Sequence, residues 1–462
     1  MTIGEDPCEL TAMALGKALA GREISARDAL DAHLARIAAH DGQLSAFLTV
    51  DAEGAHRQAA ACDAARGPIG PLHGIPVAVK DLTNTKGLRT TYGSSLFESH
   101  IPDHDELVVA RLRQAGAVII GKTNTPEFGF GAVCANRLCG PTRNPFDPAL
   151  TSGGSSGGSA VAVATGMSAL AHGTDFGGSV RTPASFCDVV SIRPTPGRIP
   201  VPTRALGWDM LATHGFLGRN VDDLELVLTA CAGRDSRDPL CAGSVPGVLS
   251  STRRVRLAVT PDFGVAPVAG AVRSRFSAAC DALSGIVDIE QSAPDCSDAI
   301  EAFRTLRAAH VADSYGALLK TRRAELTPTV VWNIEAGGRL TAQDYLSAER
   351  GRTAVYRSFC DLFARTDFLV APAASVLPWE NSAGEVMQID GKNMETPIDY
   401  LAVTFIVSLV GFPVLTLPTP RRVDEKPFGV QIVAAPGRES ELFALGRRIE
   451  KELGFSHRRP PL

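Results

Sequence analysis

A lysine closing an apolar run, Val77-Ala78-Val79-Lys80, is followed by two serine-bearing glycine loops, Gly153-Gly154-Ser155-Ser156-Gly157-Gly158-Ser159 and Gly177-Gly178-Ser179. A serine attacks a carbonyl only when a neighbour takes its proton, and glycines let backbone N–H groups come close to a developing oxyanion. The three segments therefore hold the parts of a covalent hydrolase: nucleophile, relay and base. A free lysine amine titrates near ~10.4, so it acts as a base around neutrality only where desolvation favours its neutral form. Lowering that value by roughly three units corresponds to about 4 kcal/mol. Lys80 is accordingly expected to be buried and hydrogen-bonded to Ser155. Taken alone, a lysine after three strand residues also reads as a strand-end charge in solvent, and a glycine/serine run as a linker.

Such groups need a layered scaffold to position them. Leu30, Leu34 and Ile37 recur at helical spacing after Ser25, a plausible N-cap with Asp28 three residues on as in a capping box, so residues 1–60 read as largely helical. Gly70-Pro71-Leu72-His73-Gly74 then introduces a strand over 75–80. A helix from about Glu106 to Gly116, with Val108, Val109 and Leu112, leads directly into the strand Ala117-Val118-Ile119-Ile120. Helix, short turn, apolar strand is the grammar of an α/β sheet covered on both faces. The small residues Ala160-Val161-Ala162-Val163-Ala164 predict a tightly packed helix opening at the first glycine loop. The region 201–400 is turn-rich, with an amphipathic stretch near 340–365 and a strand over 368–372. A strand over 428–433 precedes a helix from Glu439 to Leu453. No repeat or low-complexity linker interrupts the chain, which predicts one large domain with a variable middle.

Composition narrows the function classes. The 462 residues are 45% apolar and 21% charged with a net charge of −4 and no basic stripe, so nucleic acid is not an expected partner. Ten scattered cysteines without a C-x-x-C pair predict reduced thiols in the cytoplasm and no metal or cofactor. Met1 to Pro7 has neither the basic start nor the apolar core of a signal peptide. The uncharged run 401–418 is close to the ~18 residues of a membrane span. It contains Thr404, Ser408, Gly411, Pro413 and Thr416, so a buried helix, a break and a central strand are expected instead.

Two other motifs compete. Gly116-Ala117-Val118-Ile119-Ile120-Gly121-Lys122-Thr123 matches a phosphate loop letter for letter, but its middle residues are all apolar and themselves make a strand rather than an exposed cradle. The segment 153–157 satisfies the G-x-S-x-G elbow of α/β-hydrolases, which requires a preceding strand and a later histidine. Residues 145–150 do not read as a strand, and no local context marks His172, His214, His310 or His457 as the partner.

Together these residues resemble the amidase signature family, most specifically from Gly74-Ile75-Pro76-Val77-Ala78-Val79-Lys80-Asp81 to Arg198-Ile199-Pro200. The match includes Gly121-Lys122-Thr123-Asn124-Thr125-Pro126-Glu127-Phe128, Arg143-Asn144-Pro145, the first glycine loop and Gly173-Thr174-Asp175-Phe176-Gly177-Gly178-Ser179-Val180-Arg181. Gly429-Val430-Gln431-Ile432-Val433 and Arg459-Pro460 also fit. The resemblance implies one α/β domain with a large mixed sheet between helices: N-terminal helices over 1–70, a catalytic core over 71–200, a variable substrate side over 201–400 and a return to the core over 401–462. It makes Ser179 the nucleophile, Ser155 a bridging cis-serine and Lys80 the base. Backbone N–H groups of Phe176, Gly177, Gly178 and Ser179 would form the oxyanion hole, and Ser156, Asp175 and Arg181 would hold the loops. Asp188 and Ser191 stand where the family usually has glycine. Glutamine-amidotransferase subunits of the family usually carry an acid shortly before the Thr404 position, where this chain has Ala402.

Phe128, Phe130, Phe176, Trp208 and Met210 suggest a hydrophobic acyl or aryl pocket, though each also suits a core. The expected activity is hydrolysis of small or aryl amides, with aryl esters and carbamates as further small-molecule substrates. The alternatives are the amidase-fold subunit of a glutamine amidotransferase and, from the phosphate-loop pattern, a nucleotide-binding protein.

Overall fold

The computed structural model describes residues 6–241 and 254–461. The start of the sequence read for a signal peptide thus lies partly outside the described residues, as does part of the variable middle.

Eleven strands form one mixed sheet, in the spatial order Phe47–Val50, Val118–Thr123, Pro76–Lys80, Leu170–Asp175, Thr213–Gly218, Val190–Arg193, Val414–Pro418, Gly429–Val433, Phe368–Pro372, Arg256–Val259 and Asp288–Gln291. Helices cover it, giving the mixed α/β architecture expected. The strand Pro76–Lys80 is buried along its whole length and pairs in parallel with neighbours on both sides. Such a strand is reached by helices on both faces, which is why its sequence is a continuous apolar run and not an alternation. Val79 lies opposite His172 in Leu170–Asp175. The two parallel strands therefore end on the same edge of the sheet, which brings Lys80 beside the turn that follows Asp175.

Helix Ala26–Leu44 begins where spacing placed it, with the Asp28 N–H donating to Ser25 Oγ at 3.0 Å. Helix Ala342–Phe363 carries a reciprocal capping box of Thr341 and Asp344 within the amphipathic stretch. The eight residues of Gly157–Ala164 are all buried, and a Cβ on Gly158 would collide with Ala46 O and Asn124 N. Glycine and alanine are what allow that helix to sit directly behind the first glycine loop.

The uncharged run 401–418 divides into the buried helix Ala402–Val410, Gly411 at φ 74° and the strand Val414–Pro418, seventh of the eleven. Among the described residues no helix is long and apolar enough to cross a membrane.

The phosphate-loop alternative is overturned. Val118–Thr123 is a buried strand, and Lys122 Nζ donates to Thr83 O, to Thr85 Oγ1 at 2.9 Å and to Thr90 Oγ1 at 3.1 Å. The lysine pins the chain that follows Lys80, and no cradle of N–H groups exists there. The middle region holds elements that sequence patterning did not reveal, chiefly the long helix Ala299–Arg322 and helix Pro328–Gly338.

Candidate active site

Lys80 is fully buried at the end of its strand. Its Nζ donates to three hydroxyls: Ser155 Oγ at 2.7 Å, Ser156 Oγ at 2.9 Å and Thr174 Oγ1 at 3.0 Å. No carboxylate lies within ion-pair distance of it among the described residues. Burial pushes its pKa down to about 7, only partly opposed by Cys134 and Asp175. Three neutral acceptors satisfy the ammonium without holding it charged, and once a proton is lost Nζ can accept from the Ser155 hydroxyl. The peptide bond between Gly154 and Ser155 is cis.

The turn after Asp175 is held by a buried ion cluster. Asp175 accepts from the Gly178 N–H at 2.9 Å, the Val180 N–H at 3.1 Å, and Arg181 through Nε at 3.1 Å and Nη2 at 2.8 Å. Arg193 Nε stands 3.4 Å from the same carboxylate. Burial alone would raise the Asp175 pKa, but the Arg181 guanidinium holds it well below the usual carboxylate range. Arg181 also donates to Thr404 O at 2.7 Å, Gln431 Oε1 at 2.9 Å and Ser408 Oγ at 2.5 Å. Gly178 sits at φ 125°, and a Cβ there would strike Thr404 Oγ1. Asp175→Asn is expected to destabilise the fold by about 3–5 kcal/mol, because it leaves two buried arginines short of a countercharge. Urea unfolding of the variant measures this, and a loss below about 1 kcal/mol would contradict it.

The cluster corrects one reading of the oxyanion hole. The Gly178 N–H is engaged by Asp175 and not free for a ligand. The N–H groups of Phe176, Gly177 and Ser179 have no acceptor among the described residues. Ser179, half-buried, and Ser155 line one cavity of about 240 Å³. Ser156 N–H donates to Ser179 O at 3.0 Å, so the two glycine loops are tied together by backbone. The hydroxyls of Ser155 and Ser179 are not hydrogen-bonded to each other among the described residues.

Phe128, Phe130 and Phe176 line the cavity as the sequence suggested. Trp208 and Met210 do not. Trp208 is 77% exposed in a surface turn, and Met210 Sδ packs toward Gly411, beside Pro196. Their place is taken by Phe303, Arg307 and His310 from helix Ala299–Arg322 and by Trp332 from Pro328–Gly338. The spacing 303, 307, 310 is one helical face, a signal that was present but broken by two polar members.

Of the histidines weighed for a hydrolase elbow, His172 and His214 bond each other at 2.9 Å inside the sheet, and His457 Nδ1 bonds Asp188 O at 2.8 Å. His310 lines the cavity with Nδ1 3.1 Å from Asp209 Oδ2. Residues 145–149, ahead of the glycine loop, form bends and turns and not a strand. Asp188 takes glycine's place at φ 50° and is paired with Arg421 Nε at 2.7 Å, so the turn behind the site survives the substitution. Ser191 Oγ is buried without a hydrogen-bond partner among the described residues. Among the described residues no group of three His, Cys, Asp or Glu side chains is placed to hold a metal ion.

The amidase family matches residues 28–443. The chain is 33% identical to the A-type subunit of the glutamyl-tRNA(Gln) amidotransferase of Moorella thermoacetica, over 98% of each chain. Among solved structures it resembles a 6-aminohexanoate cyclic dimer hydrolase at 27% identity, with a TM-score of 0.87 over 99% of each chain. A bacterial aryl acylamidase of the amidase signature family superposes with a TM-score of 0.88 over 96% of each chain, and at 24% identity shows the fold alone. With its lysine, paired glycine loops and mixed sheet in the arrangement described, this chain belongs to the amidase signature family.

Proposed function

We propose that this chain hydrolyses linear carboxamides through an acyl-enzyme on Ser179. The observation that carries the reading is the 2.7 Å contact of Lys80 Nζ with Ser155 Oγ beside the cavity that Ser155 and Ser179 line. Neutral Lys80 takes the Ser155 proton as Ser155 takes that of Ser179, and Ser179 Oγ adds to the carbonyl carbon. The N–H groups of Phe176, Gly177 and Ser179 receive the oxyanion. Ser155 then returns a proton to the leaving nitrogen, the C–N bond breaks, and the amine departs. Water, deprotonated through the same relay, releases the acid. The Ser155–Ser179 hydrogen bond has to form as substrate enters, since catalytic contacts are often open in the empty site. Ser156, Asp175 and Arg181 position the two loops.

The aromatic lining supports a small or aryl amide as substrate, and aryl esters or carbamates fit the same cycle. The second reading, the amidase-fold subunit of a glutamine amidotransferase, has the stronger support from the sequence relatives, whereas Ala402 in place of an acid and the aromatic cavity speak for the first. Purified chain assayed without partners on p-nitroanilides, p-nitrophenyl esters, aryl carbamates and L-glutamine separates the two. Turnover of anilides with glutamine untouched supports the amidase. Ammonia release from glutamine, with the anilides inert, supports the amidotransferase component.

Ser155→Ala is expected to slow amides far more than p-nitrophenyl esters, because a nitrophenolate leaves without a proton and an amine does not. Equal losses on both substrates would remove Ser155 from leaving-group protonation.

A further inference from the structure

Arg307 is a charged cavity residue that the acyl-enzyme scheme leaves unused. It projects from helix Ala299–Arg322, is 8% exposed and lines the same cavity as Ser155 and Ser179. Nη1 donates to Asn333 Oδ1, and the guanidinium lies over the Phe130 ring with Cζ 5.4 Å from its centroid. Among the described residues Nε and Nη2 make no hydrogen bond, and neither is a fully enclosed polar atom. No carboxylate stands within ion-pair distance of Arg307 among the described residues. The charge that acts on it is Glu385, which also lines the cavity but is engaged elsewhere, with Oε1 accepting from the Ala132 N–H at 3.2 Å and Oε2 from the Tyr400 hydroxyl. Burial lowers the Arg307 pKa to about 10, which keeps the group charged at neutral pH.

A buried cation without an ion-pair partner is costly unless something completes it. The unused pair, Nε and Nη2, forms one edge of the guanidinium, the fork that grips a carboxylate with two parallel bonds. We propose that Arg307 binds a carboxylate carried by the substrate, so that the preferred substrate of this site is an amide bearing a free acid away from the scissile bond. The inference rests on the amide-hydrolase reading for where the substrate lies, and on Arg307 alone for its charge. The acid can sit on the acyl side or on the amine side of the amide, and the substrates below separate the two.

Matched pairs test it: glutaryl-p-nitroanilide against pentanoyl-p-nitroanilide for the acyl side, and 4-acetamidobenzoate against acetanilide for the amine side. The wild-type enzyme is expected to prefer the acid of at least one pair. Arg307→Met is expected to lower kcat/KM for that acid by roughly 30- to 1,000-fold, mostly through KM, and to leave its neutral partner within a fewfold. No acid preference in the wild type, or equal losses on acid and neutral substrates, would overturn the proposal. Arg307→Lys keeps the charge without the fork and supplies the same comparison if the methionine variant does not fold. A partial loss confined to acids supports the assignment, and a uniform or absent loss overturns it. Thermal stabilisation of Ser179→Ala by glutarate and by 4-aminobenzoate, with and without Arg307→Met, reads binding apart from turnover. Carboxylate stabilisation that disappears with Arg307 supports the proposal even if no amide is hydrolysed, an outcome that would sink the hydrolase reading alone. Stabilisation that is absent or indifferent to Arg307 overturns it even if neutral amides are turned over.

Discussion

Ser179→Ala is expected to reduce amide turnover by roughly 10⁴- to 10⁶-fold and to abolish covalent labelling by a fluorophosphonate. Ser155, the other serine in the cavity, cannot substitute for it under the proposed scheme. Ser155 is 2% exposed and committed to Lys80 Nζ at 2.7 Å, whereas Ser179 is half-buried and lies in the same turn as the N–H groups of Phe176 and Gly177, which have no acceptor among the described residues. The fold should persist in the variant, because the Ser179 side chain makes no hydrogen bond among the described residues while its carbonyl, which alanine retains, holds the Ser156 N–H. Mass spectrometry of the labelled protein together with p-nitroanilide assays checks both halves. Persistent labelling of the variant, or activity within tenfold of wild type, would move the nucleophile elsewhere.

Lys80→Met should act on rate and on stability with different pH signatures. Removing a general base costs roughly 10²- to 10⁴-fold. In the wild type, kcat/KM is expected to climb about tenfold per pH unit below about 7, where the amine is still protonated, and to level off above it. That limb should vanish in the variant. For stability, the folded-state pKa of about 7 lies below the ordinary lysine value. Between these values the unfolded chain holds a proton that the folded one lacks, so wild-type stability rises with pH by up to ~1.4 kcal/mol per unit. Below pH 7 the burial penalty is present in full. The methionine variant, free of that penalty, should therefore gain most on wild type near pH 6 and lose the advantage toward pH 10. Urea midpoints at the two ends measure the gap, and parallel pH curves would show that Lys80 is charged in the folded protein.

The sequence exposed this site where chemistry and packing demand the same residues. An apolar strand ending in lysine, and glycines packed so closely that a Cβ at Gly158 has no room, leave few alternatives for the backbone. The run 401–418 was legible for the same reason, since proline and glycine separate two buried elements of opposite period. The substrate wall was not. Its helix carries Arg307 and His310 between Phe303 and Tyr315 on the face that lines the cavity, which interrupts the apolar stripe by which a helix is recognised. Trp208 and Met210 are apolar residues of the variable region, and composition cannot distinguish a cavity wall from a surface turn. Edge strand Asp288–Gln291 is mostly exposed and polar, so period-two patterning had nothing to register.

Gln431 and Ser408 both bond Arg181, which in turn steadies Asp175 more than two hundred residues earlier in the chain. A nascent polypeptide halted near residue 400 would already contain Lys80, Ser155 and Ser179, yet the partners that fix Arg181 from its far side, Thr404, Ser408 and Gln431, would be missing. A protease cut that frees the last sixty residues should therefore weaken the enzyme without touching a reacting atom.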